Sequence, residues 1–159
     1  MEMIFVPGEN IVQINNARIK WRNFAGEKGI YNPEGKRTFH LVVPDSEMAE
    51  MLSEHGYNVT IRPPREAGDE ASMSLKVTVN FNSGNPPACY LVSGDSQIRL
   101  TEDTVARLDK VSIARVDLDI RPYDWEFGNR SGRAAYLHAI RVTQRVDRFA
   151  QDYEEEERY

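Results

Sequence analysis

The chain has 159 residues, 40% hydrophobic and 28% charged, with a net charge of -5. That length suits one domain with a real core and makes two domains hard to fit, and the composition lies outside the disordered class. No apolar run approaches the roughly 20 residues of a membrane span, MEMIFVPGEN lacks the basic start and apolar core of a signal peptide, and a lone Cys89 excludes an internal disulfide or a Cys-rich zinc site.

In chain order the pattern is mostly one of strands. Residues Asn10 to Arg22 alternate, as do Arg37 to Val43, and GEKGIYNPEG between them supplies glycines and Pro33 for a long polar hairpin tip. Asp45 is placed to cap a helix over SEMAEMLSEHG, with Met48, Met51 and Leu52 at helical spacing and Gly56 ending the run. A short strand is expected over Tyr57 to Arg62, then an exposed loop, PPREAGDEAS. Ser74 to Phe81 and Cys89 to Val92 read as a strand pair across NSGNPP, with Cys89 as a small buried hydrophobe. Thr101 is expected to cap a short helix, TEDTVARL. Val111 to Ile120 and Ala134 to Arg145 are the last strands, linked by RPYDWEFGNRSGR.

Many strands and two short helices indicate a mainly β, antiparallel domain. Curling into a small Greek-key barrel of the OB-fold type protects the edges and fits the strand count, and a sandwich with appended helices is the alternative. The domain is expected over residues 1–146, followed by a disordered acidic tail over 147–159.

Charge is unevenly spread. The tail, DRFAQDYEEEERY, holds six acidic and two basic residues; removing these from the totals of 25 and 20 leaves a body of 19 acidic and 18 basic residues. Within that nearly neutral body, Arg18 to Arg37 has six cations against Glu27 and Glu34. Local potential steers a ligand, so the net negative charge does not exclude a polyanion partner.

Strand parity groups Ala17, Ile19 and Trp21 on one face and Arg18, Lys20 and Arg22 on the other, with Phe24 following. Opposite them, Phe39, Leu41 and Val43 face one way and Lys36, Thr38 and His40 the other. The two polar faces together make a cationic surface, joined in sequence by Lys28 and Arg37, with Phe24 and Tyr31 near its mouth. Cations that hold phosphates beside rings on which bases stack are the combination used by sequence-tolerant single-strand binders. Trp21 and Phe39 share the aliphatic face, where burial in the core competes with stacking. A second aromatic and basic segment, RPYDWEFGNRSGR, adds Trp125 and Arg130, with Tyr123 and Phe127 reading more as packing residues.

Catalysis has less support. Asp117 and Asp119 in VDLDI share a face, as a metal-dependent nuclease would require, but Arg115 and Arg121 lie on it too and read as neutralising partners. His40, His55 and His138 lack metal-ligand spacing, and no nucleophile motif, P-loop or dinucleotide fingerprint occurs, so neither an enzyme nor a cofactor is expected.

RNFAGEKGIYNPEGKRTF, RPYDWE and the closing AYLHAIRVT before an acidic tail resemble a group of tailed-bacteriophage proteins regarded as single-stranded DNA-binding proteins with OB-folds. The resemblance runs from Ala17 to Thr143 and rests on Arg22, Asn23, Phe24, Gly26, Asn32, Gly35, Arg37 and Phe39. It implies a non-enzymatic protein of the bacterial host cytoplasm that coats exposed single-stranded DNA during phage replication or recombination. Its acidic tail would contact other replication or recombination proteins, and a homo-oligomer is compatible with the sequence. The expected contacts are Arg18, Lys20, Trp21, Arg22, Phe24, Lys28, Tyr31, Lys36, Arg37, His40, Trp125 and Arg130. A module whose basic face binds an acidic protein is the alternative from another class.

Overall fold

Ile11 to Asn23 runs as one extended segment whose halves pair with opposite sides of the same sheet. The first half, β2 (Ile11–Ala17), lies between β1 (Glu2–Val6) and β9 (Ile113–Phe127), whereas the second, β3 (Ile19–Asn23), pairs with β4 (Arg37–Val43). The remaining strands are β5 (Thr60–Arg62), β6 (Ser72–Val79), β7 (Ala88–Ser93), β8 (Ser96–Leu100) and β10 (Arg130–Gln144), with the helix α1 (Ser46–Glu54) between β4 and β5. The main path through the sheet is β1-β2-β9-β10-β6-β4-β3. Only Arg18 separates β2 from β3, near opposite ends of that path, so the sheet must roll up until its ends meet: an OB-fold-like barrel. Asn16, with φ of 53°, and a register shift between Ile14 and Ala17 mark the bend that lets one strand serve both ends. This computed structural model describes residues 1–146, and the tail expected over 147–159 lies outside the described residues.

Alternation fills the barrel. Phe39, Leu41 and Val43 from β4, Leu75, Val77 and Val79 from β6, and Val116, Leu118 and Ile120 from β9 all point inward into one core with Val12, Ile14, Leu137, Ile140 and Val142. An extra residue, His138, is bulged out between Leu137 and Ala139, which keeps both Leu137 and Ile140 inside although their spacing is odd. Asp45 caps α1, accepting a hydrogen bond from the Met48 amide at 2.8 Å. Among the described residues no helix is long and apolar enough to cross a membrane.

Several local expectations are corrected. The stretches Ser74 to Phe81 and Cys89 to Val92 do not pair with each other: β6 joins β4, β5 and β10, while β7 runs parallel to β10 and forms a hairpin with β8. Two strands, β1 and β8, lie in segments to which the sequence pattern assigns no element. TEDTVARL contains no α-helix. Thr101 to Thr104 make a turn that leads into a 3-10 helix over Val105–Asp109, and the Thr104 hydroxyl accepts from the Thr101 amide. The RPYDWEFGNRSGR linker is itself strand, because β9 and β10 remain paired out to Phe127 and Arg130 and project as a two-stranded arm.

The largest correction concerns parity in β3. Lys20 opposes His40 and Asn23 opposes Thr38, so two residues, Trp21 and Arg22, face the single residue Phe39. This bulge, with Trp21 at φ of 52°, shifts every later residue by one position. Arg22 therefore leaves the cationic face, and its Nη1 donates to the carbonyls of Leu108 and Val111 at 2.8 and 2.9 Å. Phe24, expected at the mouth of the surface, is fully buried and stacks on Phe39 with ring centroids 5.2 Å apart. Asp109 completes the junction by accepting from the Phe24 and Ala25 amides at 2.7 and 2.9 Å. Phe24→Ala should consequently cost about 3–5 kcal/mol of folding stability. Asp109→Ala should cost about 1–3 kcal/mol by leaving two amides unpaired. Equilibrium denaturant unfolding of the two variants measures both values.

Candidate nucleic-acid interface

The outer face of the rolled sheet carries the side chains that the inner face excludes. Cross-strand register aligns Lys20 on β3, His40 on β4 and Lys76 on β6 in one row, and Thr38, Thr78, Tyr136 and Arg121 in the next, spanning β4, β6, β10 and β9. Above the lysine row, the Trp21 ring is held between two cations: the Lys20 ammonium lies 4.0 Å from its centroid and the Arg62 guanidinium 4.6 Å. His40 meets the same ring edge-on at 4.8 Å, and half of Trp21 (49%) remains exposed.

The other end of this face is built by the arm. Pairing places Tyr123 opposite Ala134, Trp125 opposite Gly132 and Phe127 opposite Arg130, so the aromatics share one face while Asp124 and Glu126 take the other. Each inner ring faces a small residue and lies across the ribbon. A Cβ at Gly132 would approach the Trp125 ring to 2.7 Å, so any substituent there must push the indole aside. Tyr123 stacks on Tyr136 at 4.6 Å and 10°. Arg133 anchors the base of the arm, pairing with Asp124 at 2.7 Å and donating to the carbonyl of His55 just beyond α1 at 2.8 Å. Between the arm and the lysine row lies a recess of about 560 Å³, lined by Lys36, His40 and Lys76 on one side and Tyr123, Trp125 and Tyr136 on the other.

Electrostatics within this recess are one-signed. Burial, and then the charges of Lys76, Lys20 and Arg62, push the His40 imidazole down to about 4. Burial, and then the charge of neighbouring Lys36, also lower the Lys76 amine. No carboxylate lines the recess among the described residues, so an anion would relieve repulsion that the fold leaves uncompensated.

The expected contacts therefore separate into three sets. Lys20, Trp21, Lys36, His40 and Trp125 border the recess or the tryptophan beside it. Arg18, Lys28, Tyr31 and Arg130 are exposed outside it; Arg18 lines a separate hollow with Val43 and Pro44, and Tyr31 is 97% exposed on the loop after β3. Arg22, Phe24 and Arg37 are structural. The Arg37 guanidinium donates to the Phe24 carbonyl and sits over the Phe81 ring at 5.7 Å. Sequence reasoning passed over Arg62, Lys76 and Tyr136, although alternation in SLKVTV already marked Ser74, Lys76 and Thr78 as a polar face. Asp117 is engaged by Arg115 at 3.1 Å and Arg141 at 3.3 Å on a different part of the barrel.

The resemblance-bearing residues build the loop that follows β3. Asn32 Nδ2 donates to the carbonyls of Glu27, Pro33 and Lys36, Asn23 and Glu27 exchange hydrogen bonds, and the Gly35 amide donates to Gly26 at 2.8 Å. Gly26 needs its glycine twice, for φ of 70° and because a Cβ would meet Gly35 at 3.1 Å. What this frame displays is Lys28, Ile30 and Tyr31, none of them packed away.

Two measurements check the geometry. The native state keeps His40 neutral between its unfolded value of 6.5 and about 4, so it binds fewer protons there than the unfolded chain. This contribution to stability is full above 6.5 and is lost as pH falls toward 4, and denaturant unfolding at several pH values should show a shallower decline for His40→Gln. Gly132→Ala should displace the Trp125 indole and alter the tryptophan emission of the folded protein while the barrel stays intact by circular dichroism.

Residues 2–157 match the family model described as "Putative phage ssDNA-binding domain". Among solved structures, the chain is similar to the single-stranded DNA-binding protein of bacteriophage Enc34 in complex with ssDNA. That match has 13% identity and a TM-score of 0.56, and covers 88% of this chain and 89% of that one. A second structure of the Enc34 protein matches at 10% identity and TM-score 0.57, covering 92% of each chain. No curated protein matches. At these identities the structural likeness speaks for the fold, and the family model, spanning nearly the whole sequence, decides membership: the chain belongs to the phage single-stranded DNA-binding domain family.

Proposed function

We propose that the chain binds single-stranded DNA across the outer face of β3, β4 and β6 and into the recess beneath the arm. On this reading it coats exposed strands without strong sequence preference during phage DNA replication or recombination, as a non-catalytic binder. The observation that carries the reading is one continuous surface with a lysine row at its centre and tryptophans at both ends. Phosphates are held by Lys20, Lys36, Lys76 and Arg62, and bases stack on Trp21 at one end and on Trp125 and the Tyr123–Tyr136 pair at the other. None of these contacts reads a base edge, which favours tolerance of sequence. The Enc34 protein, of like fold and captured with ssDNA, supports the same reading.

Titration of fluorescent oligonucleotides at increasing salt tests it. Each of Lys20→Gln, Lys36→Gln and Lys76→Gln should lower the log-log salt slope by roughly 0.7, whatever the base sequence. Trp21→Ala and Trp125→Ala should each weaken binding by about 1–3 kcal/mol with little change in melting temperature. An unchanged slope in the triple lysine variant would place the strand elsewhere on the molecule. No oligonucleotide binding at any salt would favour the reading of the basic face as a site for an acidic protein.

A further inference from the structure

The loop after β3 ends in a closed turn whose central residues are not those of a simple connection. Gly29 and Asn32 exchange backbone hydrogen bonds at 2.9 and 3.3 Å, which makes Ile30 and Tyr31 the central pair. Glycine, asparagine and aspartate ordinarily fill such positions. Ile30 is 93% and Tyr31 97% exposed, more than any other large apolar residue described. Three hydrogen bonds from the Asn32 side chain to carbonyls of the loop, with the close approach of Gly26 to Gly35, fix the turn, so this exposure belongs to a defined shape. Adjacent apolar side chains held out in this way mark a contact with another molecule. Glu27 and Glu34 accompany Lys28 around the tip, a mixed charge that suits a protein surface better than a phosphate chain.

A hollow of about 900 Å³ lies at the opposite end of the β3–β4 hairpin, where β4 runs out. It is lined in part by apolar Val43, Pro44 and Met73 and by the charged Arg18 and Glu70. Asp45, also in its wall, already caps α1, which leaves Glu70 to answer Lys28 and Arg18 to answer Glu27 or Glu34. The seven residues of β4 put roughly 23 Å between tip and hollow, so the two cannot meet within one molecule. We propose that the Ile30–Tyr31 tip of one copy of this chain seats in the hollow of the next. Tip and hollow are different patches, so the contact is heterologous and joins copies head to tail. It is far smaller than the roughly 800 Å² per partner of a stable interface, and it is therefore weak between free molecules. The inference rests on the binding reading above, because copies on one strand meet at an effective concentration near the mM range, where a weak contact is occupied. The lysine row crosses the hairpin, so stacked copies hold successive stretches of one flexible strand side by side. The tip thereby serves cooperative coating rather than base stacking.

Cysteine cross-linking of the full chain tests this. Cys89 is buried, so a thiol introduced as Ile30→Cys on the tip or Ala71→Cys in the hollow is the reactive one, and a short bismaleimide reports their approach. On a long thymidine oligonucleotide the doubly substituted chain should give a ladder of products on denaturing gels. Each single variant should stay monomeric, and an equimolar mixture of the two should stop at the dimer, as a head-to-tail contact requires. In binding titrations, Lys28→Glu and Glu70→Lys should each lower the ratio of long-strand to one-site affinity severalfold, and the two together should restore it. A long-strand complex that gives no ladder overturns the inference. So does a loss of affinity in Tyr31→Ala that is equal on long and one-site oligonucleotides, which makes the tip a strand contact; neither result touches the binding site. If no oligonucleotide binds, the binding reading falls, and the mixture of single variants at a protein concentration near the mM range decides the contact alone: a cross-linked dimer supports it and its absence overturns it.

Discussion

The arrangement of the outer face depends on one junction, where the end of β3 is clasped to the 3-10 helix. Arg22 reaches across to two carbonyls of that turn, and Asp109 of the same turn reaches back to two amides of the chain just beyond β3. Four hydrogen bonds, each with a charged partner, run in opposite directions over the same gap and stabilise more than neutral ones would. The clasp needs Arg22 to turn inward, which forces the bulge at Trp21. Once the bulge exists, Trp21 is expelled to the surface between Lys20 and Arg62, and Phe24 drops into the core. A left-handed backbone at a tryptophan costs on the order of 1–3 kcal/mol, which the clasp and the burial of Phe24 offset.

That junction also marks where the sequence stopped being legible. Strict alternation describes β4, β6 and most of β9, and there the division into core and outer face follows from residue order alone: Phe39, Leu41 and Val43 are inside, His40 is outside. The same rule applied through Trp21 and Arg22 assigns both to the wrong side, because a bulge carries no signature in a run of ordinary residues. Arg62 stayed hidden for a related reason. It belongs to a short strand of exposed residues, and only the rolling of the sheet brings its guanidinium over a tryptophan far away in sequence. In sequence the arm reads as a linker, with Gly128 and Gly132 both available for a turn. Gly128, with φ of 60°, does turn the chain, whereas Gly132 sits inside a strand to make room for an indole.

The residues that carry the family resemblance and those that carry the proposed contacts are largely different. Phe24, Gly26, Asn32, Gly35 and Arg37 fix the loop and its attachment to the barrel, and nearly every polar atom among them is spent on the backbone. The recess, in contrast, is made by residues with unsatisfied electrostatics. Lysines approach one another, a histidine is held neutral among cations, and among the described residues no acid lines the recess with them. The fold tolerates such a cluster because it is small and open to water, and the repulsion it stores is released when a polyanion arrives.

The barrel is joined most thinly between β6 and β10, where only Ala135 with Val77 and Tyr136 with Thr78 are paired, the shortest join between described strands. Local opening follows the number of interactions that must break, so this seam is where the rolled sheet parts at the lowest free energy. It runs directly under the recess, and Lys76, Thr78 and Tyr136 stand on its two banks. A ligand spanning the recess therefore acts as a cross-brace: it cannot stay seated if the banks separate, and the barrel cannot open while it is seated. Occupancy and the rigidity of the whole fold are coupled through two residue pairs, and amides beside the seam become slower to exchange as the strand concentration rises above its dissociation constant.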